Sequence, residues 1–198
     1  MSQAPGWAAY YEKLRDRPPR KTVLAALDRF DPLPADPLAI DLGCGDGRDV
    51  TEILRRGWKV VAVDAEPEAL KQLANRNLPD SERITPINAR FEEVPLPIGL
   101  QLVNSSFAMP LCEPARFHEL WARIVEALPA GGRFSGQWYG VRDSWNGRSG
   151  ITFLERAASE ALLEGLDIEI FEEEEADSVT PRGNPKHWHI FHIVARKR

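Results

Sequence analysis

Leu38-Ala39-Ile40-Asp41-Leu42-Gly43-Cys44-Gly45-Asp46-Gly47 carries an apolar run straight into glycines at alternate positions, with Asp41 two residues ahead of the first. Arg48-Asp49-Val50-Thr51-Glu52-Ile53-Leu54 continues with helical spacing. Further on, Val60-Val61-Ala62-Val63-Asp64 forms a second apolar run that ends in another acid. Glycine lets the main chain turn tightly and lets a ligand approach it with no Cβ in the way. A carboxylate at the end of the second strand is placed to accept hydroxyl protons from a ribose. Strand, glycine turn, helix, strand and acid together predict a nucleoside-binding α/β domain.

The spacing narrows the ligand. A dinucleotide site wants G-x-G-x-x-G, with pyrophosphate over the helix N-terminus. Here the run is G-x-G-x-G and position 48 is Arg. The carboxylate of Asp41 also suits a ligand with a cationic amino-acid portion better than a diphosphate. From about residue 35 to the C-terminus the chain resembles the class I S-adenosylmethionine-dependent methyltransferases. Their first motif is an apolar strand, an acid and G-x-G-x-G, and their second is an acid ending the next strand. The resemblance implies S-adenosylmethionine as cofactor. It implies a Rossmann-like, seven-stranded, mostly parallel sheet of order 3-2-1-4-5-7-6, with strand seven antiparallel and helices on both faces.

Carried over position by position, it assigns cofactor contacts to Asp41, Gly43, Cys44, Gly45 and Gly47 in the first motif and to Asp64 and Ala65 in the second. The third motif falls on Asn88, Ala89 and Arg90, where a side chain or main-chain amide meets the adenine. The fourth falls on Asn104-Ser105-Ser106-Phe107. Members that methylate amino groups of DNA or protein carry prolines where this chain has Ser105 and Ser106, so nothing points to an adenine or glutamine amide as substrate. Tyr10-Tyr11-Glu12-Lys13, followed by Arg17-Pro18-Pro19-Arg20, is similar to the N-terminal motif of small stand-alone bacterial methyltransferases of the tellurite-resistance type. There Arg20 is expected to meet the cofactor carboxylate bidentately.

Strand and helix patterns alternate as a parallel sheet requires. Strands are expected at 38–43, 59–64, 84–88, 100–104, 132–138, 167–173 and 187–195, and helices at 47–56, 67–76, 114–128 and 152–164. The connection 176–186 is too short for a crossover helix, so the last two strands pair antiparallel. Gly6–Asp16 and Arg20–Phe30 read as helices split by Pro18-Pro19, and residues 1–34 read as a helical cover on a single domain. Within it, residues 1–20 are expected to act as a mobile lid, because Trp7, Tyr10 and Tyr11 have no sheet position of their own.

The chain has 198 residues, 43% hydrophobic and 28% charged, ordinary for one globular α/β domain. Its net charge of −5 opposes long-range attraction to nucleic acid. Two cysteines, no apolar leader and no long apolar run point to a cytoplasmic protein without a membrane partner. The oligomeric state is not legible.

Ligands of open α/β sheets bind beyond the carboxyl ends of the strands. That edge gathers the motif residues and, because the last strand runs backwards, its first residue, His187. A sulfonium methyl is already activated, so the protein chiefly supplies alignment. A general base is needed only for a protic acceptor, and Tyr11 and His187 are the candidates. His187 and His189 share a strand face, but no third ligand is evident and no metal is expected. The expected activity is methyl transfer to a small molecule. A non-catalytic cofactor-binding partner protein and a methyltransferase of macromolecules are the alternatives. A dehydrogenase is disfavoured by the glycine spacing.

Overall fold

The computed structural model describes residues 17–180 and 183–198. Eight strands form one sheet: β1 Leu38–Leu42, β2 Lys59–Asp64, β3 Ile84–Asn88, β4 Leu102–Ser105, β5 Arg133–Gly140, β6 Phe153–Leu154, β7 Leu166–Val179 and β8 Pro185–Lys197. The order is β3-β2-β1-β4-β5-β8-β7, and the two-residue β6 pairs with the end of β5. Strands β1 to β5 pair parallel, whereas β8 runs antiparallel to both β5 and β7. Setting β6 aside, this is the expected order 3-2-1-4-5-7-6.

Side-chain alternation gives the sheet two faces. Ala39, Val60, Ala62, Leu102 and Val194 pack on one face with helices α1 (Lys21–Leu27), α2 (Arg48–Arg55) and α3 (Pro67–Ala74). Ile40, Leu42, Val103, Phe134, Trp138, Phe191 and Ile193 pack on the other, with Phe117, Leu120, Trp121 and Ile124 of α4 (Phe117–Ala127). A last helix, α5 (Arg156–Leu162), leads into β7. Val23 and Ala26 of α1 are fully buried. Removing a valine-sized side chain from water is worth roughly 1.5–3 kcal/mol, so α1 is anchored to the sheet.

Several expected boundaries shift. The helix expected over 152–164 begins only at Arg156, because Phe153 and Leu154 extend the sheet edge beside Tyr139 and Gly140. Strand four lies at Leu102–Ser105 rather than 100–104. The largest difference is at the C-terminus, where the expected connection 176–186 is mostly strand. Glu173 pairs with Arg142, Arg156 and His189, while Glu175 and Asp177 pair with His187. These partners carry β7 beyond residue 173, where the expected strand ends. The segment Gly6–Asp16 lies outside the described residues. Among the described residues, no helix is long and apolar enough to cross a membrane.

Candidate functional site

The glycine turn is held from two sides. The Gly43 and Cys44 amides both donate to the Val63 carbonyl at 2.9 Å, tying the end of β1 to β2. The Gly45 amide donates to Asp64 Oδ2 at 2.8 Å, and the Glu66 amide to Oδ1 at 2.9 Å. Gly43 and Gly47 have φ of +80° and +86°, a region L residues rarely adopt. A Cβ at Gly43 would stand 2.2 Å from the Ala108 Cβ, and one at Gly47 would stand 2.2 Å from Leu73 Cδ1. Both positions therefore need glycine for conformation and for space.

Beneath the turn runs a buried polar row set by strand register. Asp41, Asn104 and Ser135 are cross-strand neighbours on one face of β1, β4 and β5. Asn104 Nδ2 donates to Asp41 Oδ1 at 2.8 Å, and Ser135 Oγ donates to Asn104 Oδ1 at 2.7 Å. Asp49, in the first turn of α2, joins the row: its Oδ2 accepts from Ser106 Oγ at 2.6 Å and Asn104 Nδ2 at 3.2 Å. Its Oδ1 accepts the Arg20 amide at 2.9 Å. Burial pushes the Asp41 carboxyl well above the usual carboxylate range, and the Asp49 charge pushes it further. The Asn104 hydrogen bond opposes both. Two carboxylates held this close in a dry site favour a cationic visitor.

Above this row lies a cleft of about 130 Å³, lined by Asp41, Gly43, Cys44, Gly45, Asp46, Asp49 and Ser106. Arg17, Arg20 and Arg48 complete its wall and also line a larger cavity of about 580 Å³. Aromatic side chains, Phe107, Tyr139, Trp145 and Trp188, make up much of that cavity, closed on one side by Glu174, Ala176 and Ser178 of β7. Phe107 lines the larger cavity at φ +58°, a sparsely populated conformation for a bulky residue. Its amide donates to Gln137 Oε1 at 3.1 Å, and its ring lies 4.2 Å beneath the Arg20 guanidinium carbon. Burial, reinforced by Arg48, holds the Arg20 pKa down to about 10 against the pull of Asp49, which leaves it a cation at neutral pH.

Residues 39–132, which hold the turn, Asp64 and Asn104, match the methyltransferase domain family. The sheet order around that stretch is that of the class I methyltransferase fold. No curated protein sequence matches it. In structure the chain is similar to TehB from Haemophilus influenzae, with a TM-score of 0.77 at 14% identity over 96% of this chain. The chain spans 66% of the length of that protein, just under two thirds. It is similar to the 1,6-didemethyltoxoflavin-N1-methyltransferase of Burkholderia thailandensis, with a TM-score of 0.60 at 18% identity, covering 100% of this chain and 92% of that one. A methyltransferase from Methanosarcina mazei gives a TM-score of 0.63 at 16% identity, covering 83% of this chain and 94% of that one.

The cofactor of this family is S-adenosylmethionine. The residues fit it. The main chain of Gly43, Cys44 and Gly45 lines the cleft, Asp41, Asp46 and Asp49 line it for a cationic amino-acid portion, and arginines flank it for a carboxylate.

The motif residues converge unequally. Asp41, Gly43, Cys44, Gly45 and Arg20 line the cleft directly. Gly47 caps α2, and Asp64 braces the turn. Asn88, the register partner of Asp64, donates its amide to the Asp64 and Ala65 carbonyls at 3.0 and 3.1 Å, so its N–H groups hold the main chain. The Ala89 amide donates to the Asp64 carbonyl at 3.2 Å, and Arg90 is paired with Glu92. Asn104 is fully buried and acts through Asp41 and Asp49.

Tyr11 lies outside the described residues. His187 does not line either space: its ring bonds Asp177 at 2.7 Å and Glu175 at 3.0 Å on the other face of the hairpin, because residues 187 and 189 alternate away from the cavity. The alternate set Trp188, Ile190 and His192 lines it instead. Asp49, Gln137 and His192 are site residues the motifs do not mark. The alternation of 188, 190 and 192 against 187 and 189 is the signal that separates the histidines. His189 is buried, accepting the Arg142 amide on Nδ1 at 3.0 Å. Among the described residues, no group of three or more acids, histidines and cysteines is arranged to hold a metal.

Proposed function

We propose that this protein transfers the methyl group of S-adenosylmethionine to a small-molecule acceptor bound in the aromatic cavity. The observation that carries this is the pairing of the glycine-turn cleft with an adjoining cavity of about 580 Å³, the two sharing Arg17, Arg20 and Arg48. That volume falls within the range of sites that enclose one drug-sized ligand. A cavity walled by β7 and β8 suits a compact molecule better than a nucleic acid or a folded protein, and the net charge of −5 disfavours a polyanion. The Burkholderia neighbour, crystallised with 1,6-didemethyltoxoflavin and S-adenosylhomocysteine, supports a small acceptor by likeness.

When bound, the cofactor supplies an electrophilic methyl on a sulfonium with a thioether as leaving group. The residues of this chain do the rest. Asp64 and the glycine turn position the nucleoside end, and Asp41 and Asp49 meet positive charge. Phe107 and the three other aromatic side chains of the cavity exclude water from the acceptor. A cytoplasmic location fits two buried free cysteines.

Calorimetry with S-adenosylhomocysteine and with NAD tests the cofactor, followed by transfer of labelled methyl to a panel of small acceptors, tRNA and duplex DNA. Binding of S-adenosylhomocysteine alone, with label appearing in a small acceptor, is the expected result. Label in nucleic acid, or cofactor binding with no transfer to any acceptor, would overturn it.

A further inference from the structure

His192 stands on the cavity side of β8, in register with Gln137 of β5 and Glu172 of β7. Its Nε2 lies 2.8 Å from Glu174 Oε2. A carboxylate at Nε2 selects the tautomer that carries its proton there and leaves a lone pair on Nδ1. Among the described residues, Nδ1 of His192 has no hydrogen-bond partner. The other histidines of β8 differ. His187 is bonded through both ring nitrogens to Asp177 and Glu175, and His189 through both to the Arg142 amide and Glu173. Only His192 joins an oriented imidazole, an open nitrogen and a place in the cavity wall.

Its surroundings suit proton transfer. The Phe107 ring meets the imidazole edge to face with centroids 6.4 Å apart, and Arg20 covers the Phe107 ring. Gln137 and Tyr139 approach from β5, and Glu172 and Glu174 from β7. Arg17, Arg20, Lys21 and Arg48 stand along the same cavity. These cations oppose a positive imidazole, and the Glu174 carboxylate, in direct contact, compensates.

We propose that His192, oriented by Glu174, is the general base of the acceptor cavity, and that the acceptor is a protic nucleophile, a hydroxyl or ring N–H on a planar molecule, rather than a thiolate or other soft anion. The inference rests on the methyl-transfer function proposed above. A neutral hydroxyl or N–H that gains a methyl group must shed one proton. That proton moves to Nδ1, the imidazole becomes imidazolium, and Glu174 balances its charge across Nε2. A thiolate has no proton to lose and would need no such pair. The aromatic side chains supply faces for a planar ring.

The probe is 4-nitrophenol, whose phenolate absorbs at a longer wavelength than the phenol, added to the full chain saturated with S-adenosylhomocysteine at about pH 7, where an ordinary imidazole is mostly neutral. In the wild type the phenolate band should grow on binding, as the proton passes to His192. His192→Gln should lose the band and bind the probe about tenfold more weakly, the loss of one charge-assisted contact. Glu174→Gln keeps an acceptor for the Nε2 proton but no charge, and should bind with a diminished band. Calorimetry should find S-adenosylhomocysteine affinity unchanged in both variants, since neither residue lines the cofactor cleft. A wild type that fails to bind S-adenosylhomocysteine would sink the proposed function itself. Normal cofactor binding with an unaltered band in His192→Gln, or with no nitrophenol bound by the wild type, would overturn the general base alone.

Discussion

The Gly45 amide and the Asp64 carboxylate meet at 2.8 Å, so the residue expected to hold a ribose also holds the turn beneath it. One Asp64 oxygen binds the first βα turn and the other caps the second at Glu66. The carboxylate is thus oriented before any ligand arrives, and each oxygen keeps a lone pair for a hydroxyl.

Asp64→Ala should therefore weaken S-adenosylhomocysteine binding by about 1–3 kcal/mol, through lost charge-assisted hydrogen bonds and a loosened turn. Calorimetry measures it. An affinity equal to wild type would show that Asp64 braces the loop and nothing else.

Gly43→Ala adds one methyl where the Ala108 Cβ would be 2.2 Å away, at φ +80°. Strain and overpacking of this kind cost roughly 1–3 kcal/mol. For a chain of this size that lowers Tm by about 2–4 °C per kcal/mol, readable by calorimetric melting. Ala108→Gly in the same background should recover part of the loss, because it removes the clash but not the strain.

Asp41→Asn separates stability from binding. The folded-state pKa of Asp41 is raised by burial and by Asp49. A raised carboxyl favours the folded state while protonated. That advantage is present below the unfolded value near 3.9 and is lost as pH climbs through the folded value. The asparagine variant should melt close to wild type at about pH 4 and increasingly above it toward pH 8. It should still bind S-adenosylmethionine about tenfold more weakly, for want of a carboxylate. Melting curves across pH and calorimetry at neutral pH check the two halves.

Lys186 and Asp143 form a fully buried ion pair, with the ammonium 4.0 Å from the Trp145 ring and 4.2 Å from that of Trp188. Asp143 also accepts the Trp145 amide at 2.9 Å within the loop and the His189 amide at 3.3 Å, and the second bond ties the 140–150 loop to β8. Lys186→Met leaves Asp143 buried and charged without its cation, and should cost about 3–5 kcal/mol. Hydrogen exchange should show residues 141–150 losing protection first. Uniform loss across the sheet would mean that the pair supports the whole fold rather than the cavity wall.

Much of the nucleoside half was legible because its signals are local. Gly43, Gly45 and Gly47, the acids Asp41 and Asp64, and the apolar runs between them lie in one βαβ unit, and the parallel order follows from strand–helix alternation. The acceptor side was not legible, because its residues are joined only across the sheet. Glu172 to Glu175 reads as the solvated end of an edge strand until Arg142, Arg156 and His189 are brought beside it. His187 reads as the working histidine until the hairpin lengthens and its alternation turns that residue outward. Asp49 reads as an ordinary first-turn acid, and only the fold brings Ser106 and Asn104 within reach of it.

The hairpin of β7 and β8 has two sides with separate duties. Glu173, Glu175, His187 and His189 fasten it to the 140–150 loop and α5, while Glu174, Ala176, Trp188 and His192 face the cavity. It also lies wholly outside residues 39–132, the stretch shared with the family. Fastening and facing positions alternate along each strand, so every second residue is open to change without undoing the dock. Such a strand pair is an exchangeable die on a fixed press: descendants of this fold can acquire new acceptors by rewriting a few alternate letters there, while the methyl donor's seat is inherited intact.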